Sequence, residues 1–163
     1  MERPEKEGKH YQTFEDLEVY QVARGFRKAM YRVAGRLPEE EKFALTSQIR
    51  RAAVSLTNNI AEGHVRFHFL EQIKFMLQSR GSLEELLDDL NVCEDEAYFP
   101  IQEIECLRQQ GWRVHKLVNG YIRFLRKRVS GDSPRVRETL GDDDLEDSLL
   151  DRFNTSSLQL FNE

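Results

Sequence analysis

L-T-S-Q-I-R-R-A-A-V-S-L-T-N-N-I-A-E-G, residues Leu45 to Gly63, puts three different rows of side chains on one helix. At 3.6 residues per turn, Leu45, Ile49, Ala52, Leu56 and Ile60 share a face that must be buried. Gln48, Arg51, Ser55, Asn59, Glu62 and Arg66 form a second row, almost all of it able to hydrogen-bond. Ser47, Val54 and Ala61 form a third row of small residues. Such a helix is expected to touch two neighbours rather than one neighbour and water.

The flanking sequence supplies those neighbours. Thr13 and Asp16 stand three apart like a capping pair and predict the start of a first helix, with Val19, Ala23, Phe26, Met30, Val33 and Leu37 as its core row and Pro38 as its limit. Its opposite side repeats Arg24, Lys28, Arg32 and Arg36 at intervals of four, a basic ridge. Leu17, Tyr20 and Tyr31 read as leaning outward beside that ridge, where exposed aromatics suit a contact with another subunit.

Beyond Leu45 to Gly63, the glycine is expected to end or bend the helix, and His64 to His68 lead into a third helix beginning near Phe69. Ile73, Met76, Leu83, Leu87 and Leu90 form its inner face, and Glu84, Glu85, Asp88 and Asp89 read as its solvated face. Gly81 interrupts it; a helix-interior glycine costs about 1 kcal/mol relative to alanine, so close approach by a neighbouring helix is expected there. After Pro100 the fourth helix runs from Ile101 to near Val129, with Ile104, Leu107, Gly111, Val114, Val118, Tyr121 and Leu125 alternating steps of three and four. Four helices with short connections predict an all-α, antiparallel up-down four-helix bundle. The domain plan is a flexible N-terminus over 1–12, the bundle over 13–130 and an acidic, largely disordered tail over 131–163.

The 163 residues suffice for one domain with a substantial core, and 33% charged against 39% hydrophobic residues suits a soluble helical protein. No apolar run approaches the roughly 20 residues needed to span a bilayer, and the first ten residues are charged, so no membrane association and a cytoplasmic location are expected. Cys93 and Cys106 fit a reducing compartment as small buried hydrophobes. The net charge of −5 is unevenly placed: nine acidic residues against three arginines after Val129 give −6, which leaves the preceding body at +1. Within that tail, Leu145, Leu149, Leu150 and Phe153 are spaced to form one short amphipathic helix on a partner protein.

Charge on the fourth helix is more telling. Between Glu105 and Asp132 there is no acid, and Arg113, Lys116, Arg123 and Lys127 share the face opposite the apolar seam. Two readings of that face stand. It binds a polyanion, most commonly a phosphate backbone, with strong salt dependence; or it is a solvated face balanced by acids elsewhere in the chain. Enzymatic constellations are missing from the sequence: no glycine-rich phosphate loop, Cys-x-x-Cys, His-Glu-x-x-His or Gly-x-Ser-x-Gly occurs, and no Glu-x-x-His lies on any of the four helices. His64 and His68 flank the turn without a third ligand at useful spacing, and Trp112 reads as a stacking or interface residue. No catalysis, cofactor or metal is expected.

F-E-D-L-E-V-Y (Phe14 to Tyr20), the Leu45 to Gly63 segment and R-G-S-L-E-E-L (Arg80 to Leu86) resemble three signatures of the bacterial four-helix-bundle family encoded in intervening sequences of 23S ribosomal RNA genes, related to accessory proteins of diversity-generating retroelements. The resemblance covers residues 13 to 128 and implies an antiparallel bundle assembled as a barrel-like homopentamer; its retroelement relatives present basic surfaces to nucleic acid and a reverse transcriptase. Thr57 stands where the family often has proline, and the acidic extension lies outside the family core.

Two functions follow as expectations. In the first, a non-enzymatic ring binds RNA or DNA through Arg113, Lys116, Arg123 and Lys127 and through Arg24, Lys28 and Arg32, as accessory to a larger complex. In the second, the ring is a protein assembly hub whose tail docks a partner. In both, Tyr20, Gln48, Arg51, Asn59 and Glu62 are expected at the interface between subunits.

Overall fold

The computed structural model describes residues 13–132. Four α-helices make up nearly all of it: α1 (Glu18–Ala34), α2 (Leu45–His64), α3 (Phe69–Asp95) and α4 (Ile101–Asp132), with no strand among the described residues. The expected flexible N-terminus and the acidic tail with Leu145, Leu149, Leu150 and Phe153 lie outside the described residues. No described helix is long and apolar enough to cross a membrane.

Each helix forms for a readable reason. The Thr13 N–H donates to the Asp16 carboxylate at 2.7 Å, as the pairing predicted, but the turn it closes is a 3-10 turn (Phe14–Asp16), and α1 itself begins at Glu18. Glu41 does the same service for α2, accepting from the Leu45 N–H at 3.2 Å and satisfying one of the orphan donors of the first turn. At the other end of α3, Ala97 adopts φ 53°, the left-handed conformation that turns the chain toward Pro100 and α4.

The chain divides into two compact units between Leu125 and Arg126. In the first unit α2 packs on both α1 and α3. Its core row is as expected, Leu45, Ile49, Ala52, Leu56 and Ile60 all being buried, and Ala53, Thr57 and Gly63 are buried beside them. From α1 come Phe26 and Met30, from α3 Met76, Leu83 and Leu90, from α4 Ile104, Val114 and Val118, each at most 1% exposed. In the second unit the described residues are the closing turns of α4, where Lys127 and Arg128 are exposed and Val129 is buried.

Polar side chains tie the first unit together across helices. Arg27 of α1 donates to Thr57 of α2 at 2.8 Å. Between α2 and α3, Gln48 donates to Asp89, Ser82 to Ser55 and Ser79 to the Leu56 carbonyl, each at 2.8 Å. Between α3 and α4, Arg108 is held by Glu94, His115 lies 2.9 Å from Glu84, and Arg80 donates to Asn119 at 3.2 Å.

One glycine expectation needs correction. Among the described residues nothing lies within 4 Å of where a Cβ on Gly81 would sit, so no neighbouring helix approaches it. α2 ends at His64, one residue past Gly63; at Gly63 a Cβ would lie 2.9 Å from the Phe75 Cβ of α3, and the close approach belongs to that position. Gly111 is similar, its missing Cβ leaving room for Leu87 and Phe26.

Candidate nucleic-acid interface

On α1 the buried row Val19, Ala23, Phe26, Met30 and Val33 turns the ridge of Arg24, Lys28 and Arg32 into solvent. None of these three is ion-paired to an acid among the described residues. Arg36, the fourth member, is different: Glu103 at the start of α4 takes its guanidinium, which also lies 4.8 Å from the centre of the Phe99 ring. Arg27, between the ridge and α2, is engaged with Thr57. The basic surface of α1 is therefore the three residues expected and not the whole run.

On α4, Arg113, Lys116 and Arg123 are exposed on one face, opposite Ile104, Gly111, Val114, Val118 and Leu125. Lys127 is exposed too but belongs to the second unit. Arg108 is not part of this surface, because Glu94 and Glu105 both hold it and its second amino group donates to Asn91 at 2.9 Å. Arg113 and Lys116 make no ion pair with a described acid. The same sequence interval thus contains one structural arginine and a set of outward cations. Local acids decide which is which: Glu94 and Glu105 sit where Arg108 can reach them.

The polar row of α2 is divided by its neighbours. Gln48 and Ser55 turn to α3, Gln48 donating to Asp89 and Ser55 accepting from Ser82. Asn59 donates to the Ser55 carbonyl at 2.8 Å, and Glu62 pairs with Arg66. Arg51 remains exposed, with no ion pair to a described acid. Tyr20 does not lean outward: it is 8% exposed, with Phe14 edge-on at 4.8 Å. The 3-10 turn before α1 folds Phe14 back over it, and sequence periodicity carries no sign of that.

Asp89 is a second correction. It is not on the solvated face of α3 but 1% exposed, next to Leu90 and facing α2. Burial, reinforced by the nearby carboxylates Glu85 and Asp88 and opposed by the Gln48 hydrogen bond, pushes its carboxyl up to about 7. Burial likewise pushes the Cys93 thiol up to about 11. Tyr98, whose hydroxyl donates to Glu41 at 2.7 Å, is pushed up to about 12 chiefly by that bond. Asp89 and Cys93 are buried while Tyr98 and Glu41 are half-buried, and no group of three or more His, Cys, Asp and Glu suited to a metal occurs among the described residues.

Sequence reasoning missed one association. Tyr31 of α1 comes beside Arg50, Arg51, Val54, Asn58 and Asn59 of α2 and lines a surface depression with them. The signal was available: Arg51 and Asn58 are seven residues apart, two turns along the same helix face.

A search of the curated proteins finds no match to this chain. The family model described as 23S rRNA-intervening sequence protein matches residues 15–120, from the 3-10 turn through most of α4. The chain therefore belongs to the 23S rRNA-intervening sequence protein family.

Proposed function

We propose that this chain is a non-enzymatic bundle that binds nucleic acid through the outer faces of α1 and α4, as accessory to a larger assembly. One observation carries the reading. Arg24, Lys28 and Arg32 on α1 and Arg113 and Lys116 on α4 point into solvent without an ion pair to any described acid, although Arg36, in the turn just after α1, and Arg108 on α4 are paired. Cations left unneutralised on two helices favour a polyanion, and displacement of its counterions would drive binding. The reading includes an antiparallel up-down order. Cross-helix pairs support it, because the numbers fall on one helix as they rise on the next: Gln48 with Asp89 and Ser55 with Ser82, then Glu84 with His115 and Arg80 with Asn119.

A gel shift at low ionic strength tests it. Retardation of RNA or DNA that disappears as salt is raised is expected; no retardation of either, for the full chain and for a chain ending at residue 132, would overturn it.

A second reading, a ring-forming assembly hub with a pentamer favoured, has its own support. The exposed side of α1 is basic while α3 exposes Glu85, Asp88 and Asp95, so two copies are electrostatically complementary and can associate head to tail. It places the outer strip of α2, with Arg51, against the neighbouring subunit. Light scattering on the purified chain tests it: a monomer at micromolar concentration excludes the ring. The first reading does not depend on the ring.

A further inference from the structure

The depression between α1 and α2 has a volume of about 510 Å³, within the range of roughly 300–1,000 Å³ typical of small-ligand clefts. Its lining is chemically mixed in an ordered way. Tyr31, 41% exposed, and Val54, 36% exposed, offer an aromatic and an aliphatic surface. Arg50 and Arg51 offer two guanidinium groups, exposed and not ion-paired to any described acid. Asn58 offers an exposed amide, while Asn59, whose Nδ2 is committed to Ser55, keeps its carbonyl oxygen as an acceptor. Among the described residues no carboxylate lines the depression.

Each of these parts matches a part of a nucleotide. A flat ring stacks on a base, amides meet the donors and acceptors on the base edge, and a guanidinium takes a phosphate through paired charge-assisted hydrogen bonds. Access to a base requires that it leave the stack. A duplex presents only phosphates and groove edges to a helical surface, whereas a single strand can turn one base out. Arg24 and Lys28 lie seven and three residues before Tyr31, on the same exposed side of α1, so a phosphate track leads away from the depression.

We propose that the α1–α2 depression receives one unstacked nucleotide of a single-stranded nucleic acid, Tyr31 stacking on its base and Arg50 and Arg51 holding its phosphates. This rests on the nucleic-acid reading above and narrows it from any polyanion to a single strand.

The test is fluorescence anisotropy of a labelled mixed-sequence oligonucleotide of about 20 nucleotides, as a single strand and as a duplex, at low salt. Wild type is expected to prefer the single strand, and Tyr31→Ala to weaken single-strand binding about 5- to 100-fold while leaving duplex binding unchanged. Tyr31→Phe should keep wild-type affinity, because stacking needs the ring and not the hydroxyl. Arg51→Ala should weaken the single strand in parallel. If neither form binds wild type, the nucleic-acid reading itself fails. If binding persists but ignores strandedness, or Tyr31→Ala binds as wild type does, this site is wrong and the general reading survives. A change in molar mass for Arg51→Ala, without a change in affinity, would also overturn the site and assign the strip to a subunit contact. Tyr31 and Arg51 are both surface residues, so circular dichroism is expected to report intact helices in every variant.

Discussion

The Gln48 side-chain amide of α2 donates to Oδ1 of Asp89 on α3 at 2.8 Å, and Oδ2 of the same carboxyl, buried, has no hydrogen-bond partner. One oxygen satisfied and one orphaned is an arrangement that favours the protonated acid. With the folded-state value near 7 and an unfolded carboxyl near 4, the folded chain holds this proton more tightly. The stability this confers is complete below about pH 4, declines as pH rises toward 7 and is gone above it, a change of about 2–4 kcal/mol at most. Asp89→Asn removes the titration. In urea unfolding, the variant's stability relative to wild type should therefore rise by about 2 kcal/mol from pH 5 to pH 8. A difference independent of pH would mean that Asp89 is ionised throughout.

Gly63 and Gly81 should respond oppositely to alanine. At Gly81 the added methyl meets nothing and the helix gains propensity, so stability should increase by up to about 1 kcal/mol. At Gly63 it meets the Phe75 Cβ, which is fixed to the α3 backbone and cannot swing away, so a loss of about 1–3 kcal/mol is expected. Thermal melts of the two variants decide it; two shifts of the same sign would contradict the packing of α2 on α3.

Most of the fold was legible because burial imposes a period. Leu45 to Ile60 on α2 and Ile104 to Leu125 on α4 repeat at helical spacing, and the starts of α3 and α4 follow from Phe69 and Pro100; α1 stops at Ala34, short of Pro38 and of the expected core residue Leu37. Periodicity gives a face but not the neighbour it meets. That is why the close approach was expected at Gly81 rather than Gly63, and why Gln48 was expected to reach another subunit when its partner is Asp89. Asp89 itself reads as solvated in the sequence because it stands among Glu84, Glu85 and Asp88, whose exposure it does not share. The basic ridge of α1 was legible as charge, but only the placement of Glu103 and Glu94 separates Arg36 and Arg108 from the cations left outward.

The two cysteines should differ sharply toward thiol reagents. Cys93 is buried and held near 11 by that burial, with Asp89 and Glu41 adding to it, while Cys106 is exposed. At neutral pH the native chain should react at Cys106 alone, and at both thiols in denaturant. Rapid native reaction at both would place Cys93 outside the core.

The most direct test of the functional account is the salt dependence of oligonucleotide binding by wild type and by the Arg113→Ala, Lys116→Ala double variant. If α4 neutralises phosphates, the slope of log K against log salt should be shallower in the double variant by about 1.4–1.8, the contribution of two phosphate contacts. An identical slope would show that the outward cations of α4 do not touch nucleic acid and would contradict the account.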